Sequence, residues 1–387
     1  MDELGREEPS PRRLSARLAI LGAIALAGVA AASAWLTRDS WGRPVGPSAA
    51  SSASATSSPA FAVHAPPPDV PLLWSSVESS LSELHLRAFD WSGREVGTLA
   101  PRCLAPCTFF ASPDGRRLLI AARSEPSPAE VVDTTGARLG SLQDVGGLSW
   151  AADSRHLCGV SGPGGTTFGP APSSRVELAL VDPAGGSRRV VTTVAWGSPA
   201  ASTSFSYVET FCTTQSDRAV VVLLDGQPGG VRAVRVIALS TGRDVYAHDD
   251  TPPAGGCGCS IDSVAVSGAG RMLVENLAGG GVRMRDTATG TVIAHADGIR
   301  VVDGLSWNGR LAVVSNGVTT NGVIDLLTGA TVWSAPPLTH ALVRAARPGG
   351  DDLLLDVTST VAPQTATEQL IVHPDGRTDH LPGGVSI

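Results

Sequence analysis

The chain has 387 residues, a formal net charge of -7, only 17% charged residues, and 44 Gly and 28 Pro set among long runs of Val, Leu, Ala and Thr. Basic and acidic side chains are interspersed and no basic block occurs, which excludes the electrostatic footprint of a nucleic-acid binder. Turn formers alternating with β-favouring runs point to many short strands, hence to an all-β chain.

In chain order, Arg12, Arg13 and Arg17 precede an uncharged apolar run over 18–36, which ends at Arg38 and Asp39. A helix of about 20 apolar residues spans the hydrocarbon core and keeps its basic flank in the cytoplasm. The run therefore reads as a single-pass signal anchor, with residues 1–17 as a cytoplasmic tail and the rest extracytoplasmic. A cleaved signal peptide is the alternative, because Ala32 to Ala34 reads Ala-Ser-Ala, a small-residue cleavage pattern, and the product would then be secreted. Residues 37–69 follow as a Ser/Ala/Pro-rich linker. Val45 to Pro68 hold no charged residue and too little apolar surface to offset their ordering entropy, which predicts a disordered stalk.

Residues 70–387 alternate two kinds of hairpin. The inner kind opens with SPDGRRLL at Ser112 and recurs at Ala151, Thr214, Ser267, Ser306 and Arg347, with turn positions Gly115, Ser154, Asp217, Gly270, Gly309 and Gly350. The outer kind turns at Gly93, Gly136, Gly185, Gly242, Gly290, Gly329 and Gly376. Several steps are about 40 residues, the period of a four-stranded propeller blade. The excess of one outer hairpin, with PLLWSSV from Pro71 as an extra strand before it, predicts that the C-terminal GGVSI completes the first blade. Seven blades are expected, or six if the terminal strands do not complete one.

SPDGRRLLIAA and LSWAADSRHLCGVSG resemble the WD40-like repeat of TolB-type β-propellers. The resemblance covers about residues 70–387 and implies a β-propeller; it carries no catalytic residue. High Ala, Gly and Arg with almost no Lys suggest a GC-rich bacterial genome.

Cys103, Cys107, Cys158, Cys212, Cys257 and Cys259 make an even count, which beyond the membrane reads as disulfides. Aligning the hairpins puts Cys158 and Cys212 at one height in neighbouring blades, as a disulfide or as two buried thiols. The other four lie on one rim, where local pairs, a longer-range pairing or a zinc site stay open. A ring of carboxylates is the sharper site candidate. Glu209, Asp262 and Asp303 enter three consecutive inner strands, with Asp144 nearby in an earlier blade. Such a rim would hold a cation such as calcium, or its members would simply bond neighbouring turns. No other cofactor is called for.

No Gly-x-Ser-x-Gly elbow, His-Glu-x-x-His or phosphate loop occurs, and aromatic content is only 4%. Trp150 and Trp307 occupy equivalent repeat positions and read as blade core rather than a ligand platform. The expected function is an extracytoplasmic, membrane-anchored binding or assembly module whose partner is an envelope protein or a small ligand. Its contact surface is expected in the insertions at 161–175 and 251–260. The alternative is an exported hydrolase or lyase working at the acidic rim.

Overall fold

The computed structural model describes residues 63–381 apart from 80–83, 102–106, 123–128, 143–147, 162–174, 196–206, 214–215, 225–229, 251–258, 316–319 and 360–365. All described residues fall within one unit. The apolar run 18–36, nearly all of both insertions and the C-terminal GGVSI lie outside them. No helix among the described residues is long and apolar enough to cross a membrane.

The inner turn shows why the chain folds into hairpins. Ser112 Oγ accepts from Arg117 N–H at 2.9 Å and donates to Asp114 Oδ1 at 2.7 Å, while Gly115 N–H donates to the Ser112 carbonyl. The turn needs a positive φ at its last position, 68° at Gly115, and Ser154 and Asp217 adopt the same conformation at 57° and 56°. Gly115 is also sterically required, because a Cβ there would lie 2.2 Å from the Leu72 carbonyl oxygen. In the last inner turn the positive φ falls on Gly349 rather than Gly350, and in the third outer turn on Gly186 rather than Gly185. In the strand Arg218–Leu224, four successive residues, Ala219 to Val222, are buried, as both faces of a propeller sheet are covered by its neighbours.

The strands form antiparallel meanders. Sheet 1 has three strands over 73–99. Sheets 2, 3, 5 and 6 have four strands each, over 107–142, 149–195, 300–334 and 339–380. Sheet 4 has eight strands over 207–296, made of two halves, 207–249 and 261–296, bridged at Val231 and Ile261. The extra strand expected near Pro71 is present as Leu73–Ser79.

The first strands of sheets 2, 3, 4 and 6 reach a common central cavity, sheet 1 reaches it through Leu72–Trp74, and sheet 5 through Trp307 in the turn after its first strand. Radial meanders around one centre make this a β-propeller. The expected count of seven blades, or six, is corrected to five, the number of sheets with the three or four strands of a blade; the remaining eight strands run as one continuous sheet. The merger has a local cause. The strand Asp244–Asp249 stops opposite Ala233, leaving the edge at Val231 uncovered for Ile261 to pair with.

Apolar clusters fill the junctions between consecutive sheets. Leu86 and Leu118 meet between sheets 1 and 2, Val131 and Leu157 between 2 and 3, and Leu178 and Val221 between 3 and 4. Met284 and Ala312 meet between 4 and 5, and Val313 and Leu355 between 5 and 6. Phe89 and Trp91 of sheet 1 pack with Leu354 and Ile371 of sheet 6, which closes the ring. Backbone bonds reinforce this packing: Leu72 N–H donates to Asp114 O at 3.0 Å, and Ala269 N–H to Trp307 O at 2.8 Å.

Candidate binding cavity

At the inner-turn end of the ring, the first strands converge on a cavity of about 530 Å³. The chain is poor in aromatics, yet Trp74, Phe109, Phe110, Trp150, Phe211 and Trp307 all line it. Phe110 is 52% exposed, a large apolar side chain facing open space. Trp150 and Trp307, expected as blade core rather than a ligand platform, also line the cavity. Trp307 is buried against Ala152 and Ala269 while contributing to the wall.

Most polar groups in the wall already have protein partners. Trp74 Nε1 donates to Gly115 O at 2.7 Å and Trp150 Nε1 to Phe110 O at 2.9 Å. Ser149 Oγ donates to Thr210 O, Thr213 Oγ1 donates to Arg218 O, and Ser267 Oγ accepts from the N–H groups of Arg271 and Met272. With these hydrogen bonds made internally, the wall presents mainly apolar surface to an occupant.

Among the described lining residues, Arg344 is the only one with a charged side chain. It occupies the register shift between Val343 and Ala345 in the strand Thr339–Ala346, a bulge of the kind that re-aims a side chain. Arg344 Nε donates to Asp356 Oδ2, whose Oδ1 accepts from Gln369 Nε2 at 3.1 Å. No His, Asp or Glu and no free Cys lines the cavity among the described residues, so it offers no acid–base pair and no thiol nucleophile.

Of the acidic-rim residues, two have described side chains. Glu209 and Asp262 lie nearer the starts of their strands and neither lines the central cavity. Asp262 Oδ2 instead accepts from Arg300 Nη1 at 3.2 Å, beside a smaller cavity of about 280 Å³. Glu209 is half-buried. The side chain of Asp303 and the whole of Asp144 lie outside the described residues. Among those described, no three His, Cys, Asp or Glu side chains gather as a metal would require.

Cys158 and Cys212 are joined by a disulfide with their Cα atoms 6.1 Å apart, linking sheet 3 to sheet 4. Of these, Cys212 also belongs to the cavity wall. Cys107 is also in a disulfide, and so, separately, is Cys259. Cys103 and Cys257 lie outside the described residues.

A second charged cluster is sealed away from the cavity, where the two halves of sheet 4 meet. Glu275 is fully buried and accepts from Tyr246 Oη at 2.8 Å, from Arg283 Nε and from Arg285 Nη2 at 3.3 Å. The Arg285 guanidinium also lies 3.8 Å from the centre of the Tyr246 ring. Burial, reinforced by the hydrogen bond to Glu275, pushes the Tyr246 hydroxyl up to about 12. The hydrogen bond from Tyr246 to Glu275 ties the two halves together.

No protein-family model matches the sequence, and no curated protein matches it. Among solved structures, the chain is similar to the β-propeller domain of Cps50 (Swd1) from Myceliophteria thermophila, at 14% identity and a TM-score of 0.44, covering 74% of this chain and 96% of that one. It is also similar to the computationally designed protein Ika8, at 13% identity and a TM-score of 0.40, covering 80% of this chain and 94% of that one.

Proposed function

We propose that this β-propeller is a binding or assembly module whose central cavity receives an apolar part of its partner. The carrying observation is the cavity itself: six aromatic side chains converge on it, and neither an acid–base pair nor a free thiol is among its described lining residues. That composition favours binding over the hydrolase or lyase alternative.

The module works outside the cytoplasm, held by the apolar run 18–36, with the linker 37–69 as its tether. The Cys158–Cys212 disulfide supports this placement, since such bonds persist in oxidising compartments. A bacterial envelope protein of TolB-type ancestry fits the repeat SPDGRRLL and the Arg-rich, Lys-poor composition. The insertions at 161–175 and 251–260 offer a second contact surface.

In-cell cross-linking of the tagged full chain, with mass spectrometry of what is captured, tests the module. One envelope protein recovered in near-stoichiometric amount, and lost from Phe110→Glu at an unchanged melting temperature, is the expected result. Equal recovery with Phe110→Glu would remove the cavity from the contact, and no capture above background would remove the protein-partner form of the reading.

A further inference from the structure

We propose that the occupant of the central cavity carries a carboxylate on an apolar body, and that Arg344 receives the carboxylate. The proposal rests on the binding-module reading and gives it a ligand chemistry.

Volume sets the first limit. About 530 Å³ accommodates a small molecule or the end of a peptide, and is too small for a whole helix or sheet edge. Chemistry sets the second. Trp74, Phe110, Trp150 and Phe211 present aromatic surface, and the hydroxyls of Ser149 and Thr213 already donate to protein carbonyls. Apolar burial is therefore the main attraction the wall offers.

Arg344 breaks this pattern. It is the one charged side chain among the described lining residues, placed by a bulge in an innermost strand at the edge of an aromatic cavity. Its guanidinium is also held in a defined orientation. Asp356 takes the Nε edge, and Asp356 is itself fixed by Gln369, whereas the two Nη groups have no partner among the described residues. The Arg344 side chain is 44% exposed, so those donors are accessible. A planar pair of free N–H donors beside an apolar cavity matches the geometry of a carboxylate, which accepts two parallel hydrogen bonds. Asp356 is already engaged by the Nε edge and by Gln369, so an ammonium group would have to compete with Arg344 for it, and a neutral head group would give the Nη donors no anionic acceptor.

Two sources supply this chemistry: a free amphipathic acid, or the C-terminal carboxylate of an apolar peptide. Calorimetric titration of the full chain with decanoate, decanol and decylammonium, and with a Leu-Phe dipeptide bearing a free or an amidated C-terminus, separates them. We expect an acid to bind about tenfold or more tightly than its neutral counterpart, decanol or the amidated peptide. We expect decylammonium to bind weakest. Arg344→Gln should abolish the preference while leaving decanol affinity unchanged, and Arg344→Lys should restore part of it.

Binding of decanoate alone assigns a free acid, and binding of the free-carboxylate peptide alone assigns a chain end. Equal affinity for decanoate and decanol in the unmodified chain overturns the carboxylate proposal and leaves the apolar cavity standing. Absence of binding by all five probes overturns both. The comparison within the unmodified chain decides the matter even if Arg344→Gln does not fold.

Discussion

Asp325 shows how one side chain can hold a turn. Its Oδ1 accepts from the N–H groups of Leu327 and Thr328 at 3.0 and 3.1 Å, and its Oδ2 from Arg310 Nε at 2.7 Å. Burial by itself raises its pKa, but these hydrogen bonds together outweigh that and hold it below 3.8; Asp90 and Asp133 are lowered by the same kind of balance. A carboxylate lowered in the folded state contributes stability that is fully present above its unfolded value and is lost as pH falls through the folded one. Asp325→Asn should therefore cost about 1 kcal/mol at pH 7 and lose less than the unmodified chain between pH 7 and pH 3. Urea unfolding at both pH values measures this, and parallel losses in the two proteins would refute it. The outer-turn Asp was open to reading in FDWSG, VDTTG and IDLLTG, three or four residues before the glycine. The two displaced turn positions, Gly186 and Gly349, were not, because in a Gly-Gly pair either residue tolerates positive φ.

At the scale of elements, the Cys158–Cys212 disulfide fastens the strand Leu157–Ser161 to the strand Tyr207–Thr213 across a sheet junction. It closes a loop with a sequence separation of 54, so replacing both cysteines by Ser should destabilise the protein by about 2–4 kcal/mol. Denaturant unfolding without reductant checks the figure; a double variant as stable as the parent would show that the bond adds nothing beyond the packing around it. The shared height of the two cysteines was legible because the inner hairpins align column by column. Cys212 falls in the column of Phe110 and Cys158 in that of Leu119, and Phe110 faces Leu119 across its hairpin. The bulge at Arg344 was not legible, since THALVRAA contains no Gly or Pro to mark an extra residue. The union at Val231 and Ile261 was equally hidden, as it depends on where a neighbouring strand stops.

The whole molecule depends on joining its first sheet to its last. Phe89 is fully buried with Trp91, Leu354 and Ile371 in the cluster that closes the ring. Phe89→Ala should cost about 3–5 kcal/mol. Because the loss falls at the closure, unfolding should also become less steep in urea. A variant that lost stability without any change in steepness would show that closure is not what makes the ring unfold as one. Hairpin spacing, turn residues and apolar runs sufficed to establish an all-β propeller, because these are local properties repeated along the chain. The sequence also placed Cys158 and Cys212 at one height in neighbouring blades, and the structure decided between a disulfide and two thiols. Only the tertiary structure decided the candidate site, since its aromatic residues come from five different sheets and meet only when the ring closes. The carboxylates that share a repeat column were the visible signal, yet Asp262 is drawn to Arg300 of the next sheet, a partner set by the packing of neighbours and not by the period of the repeat.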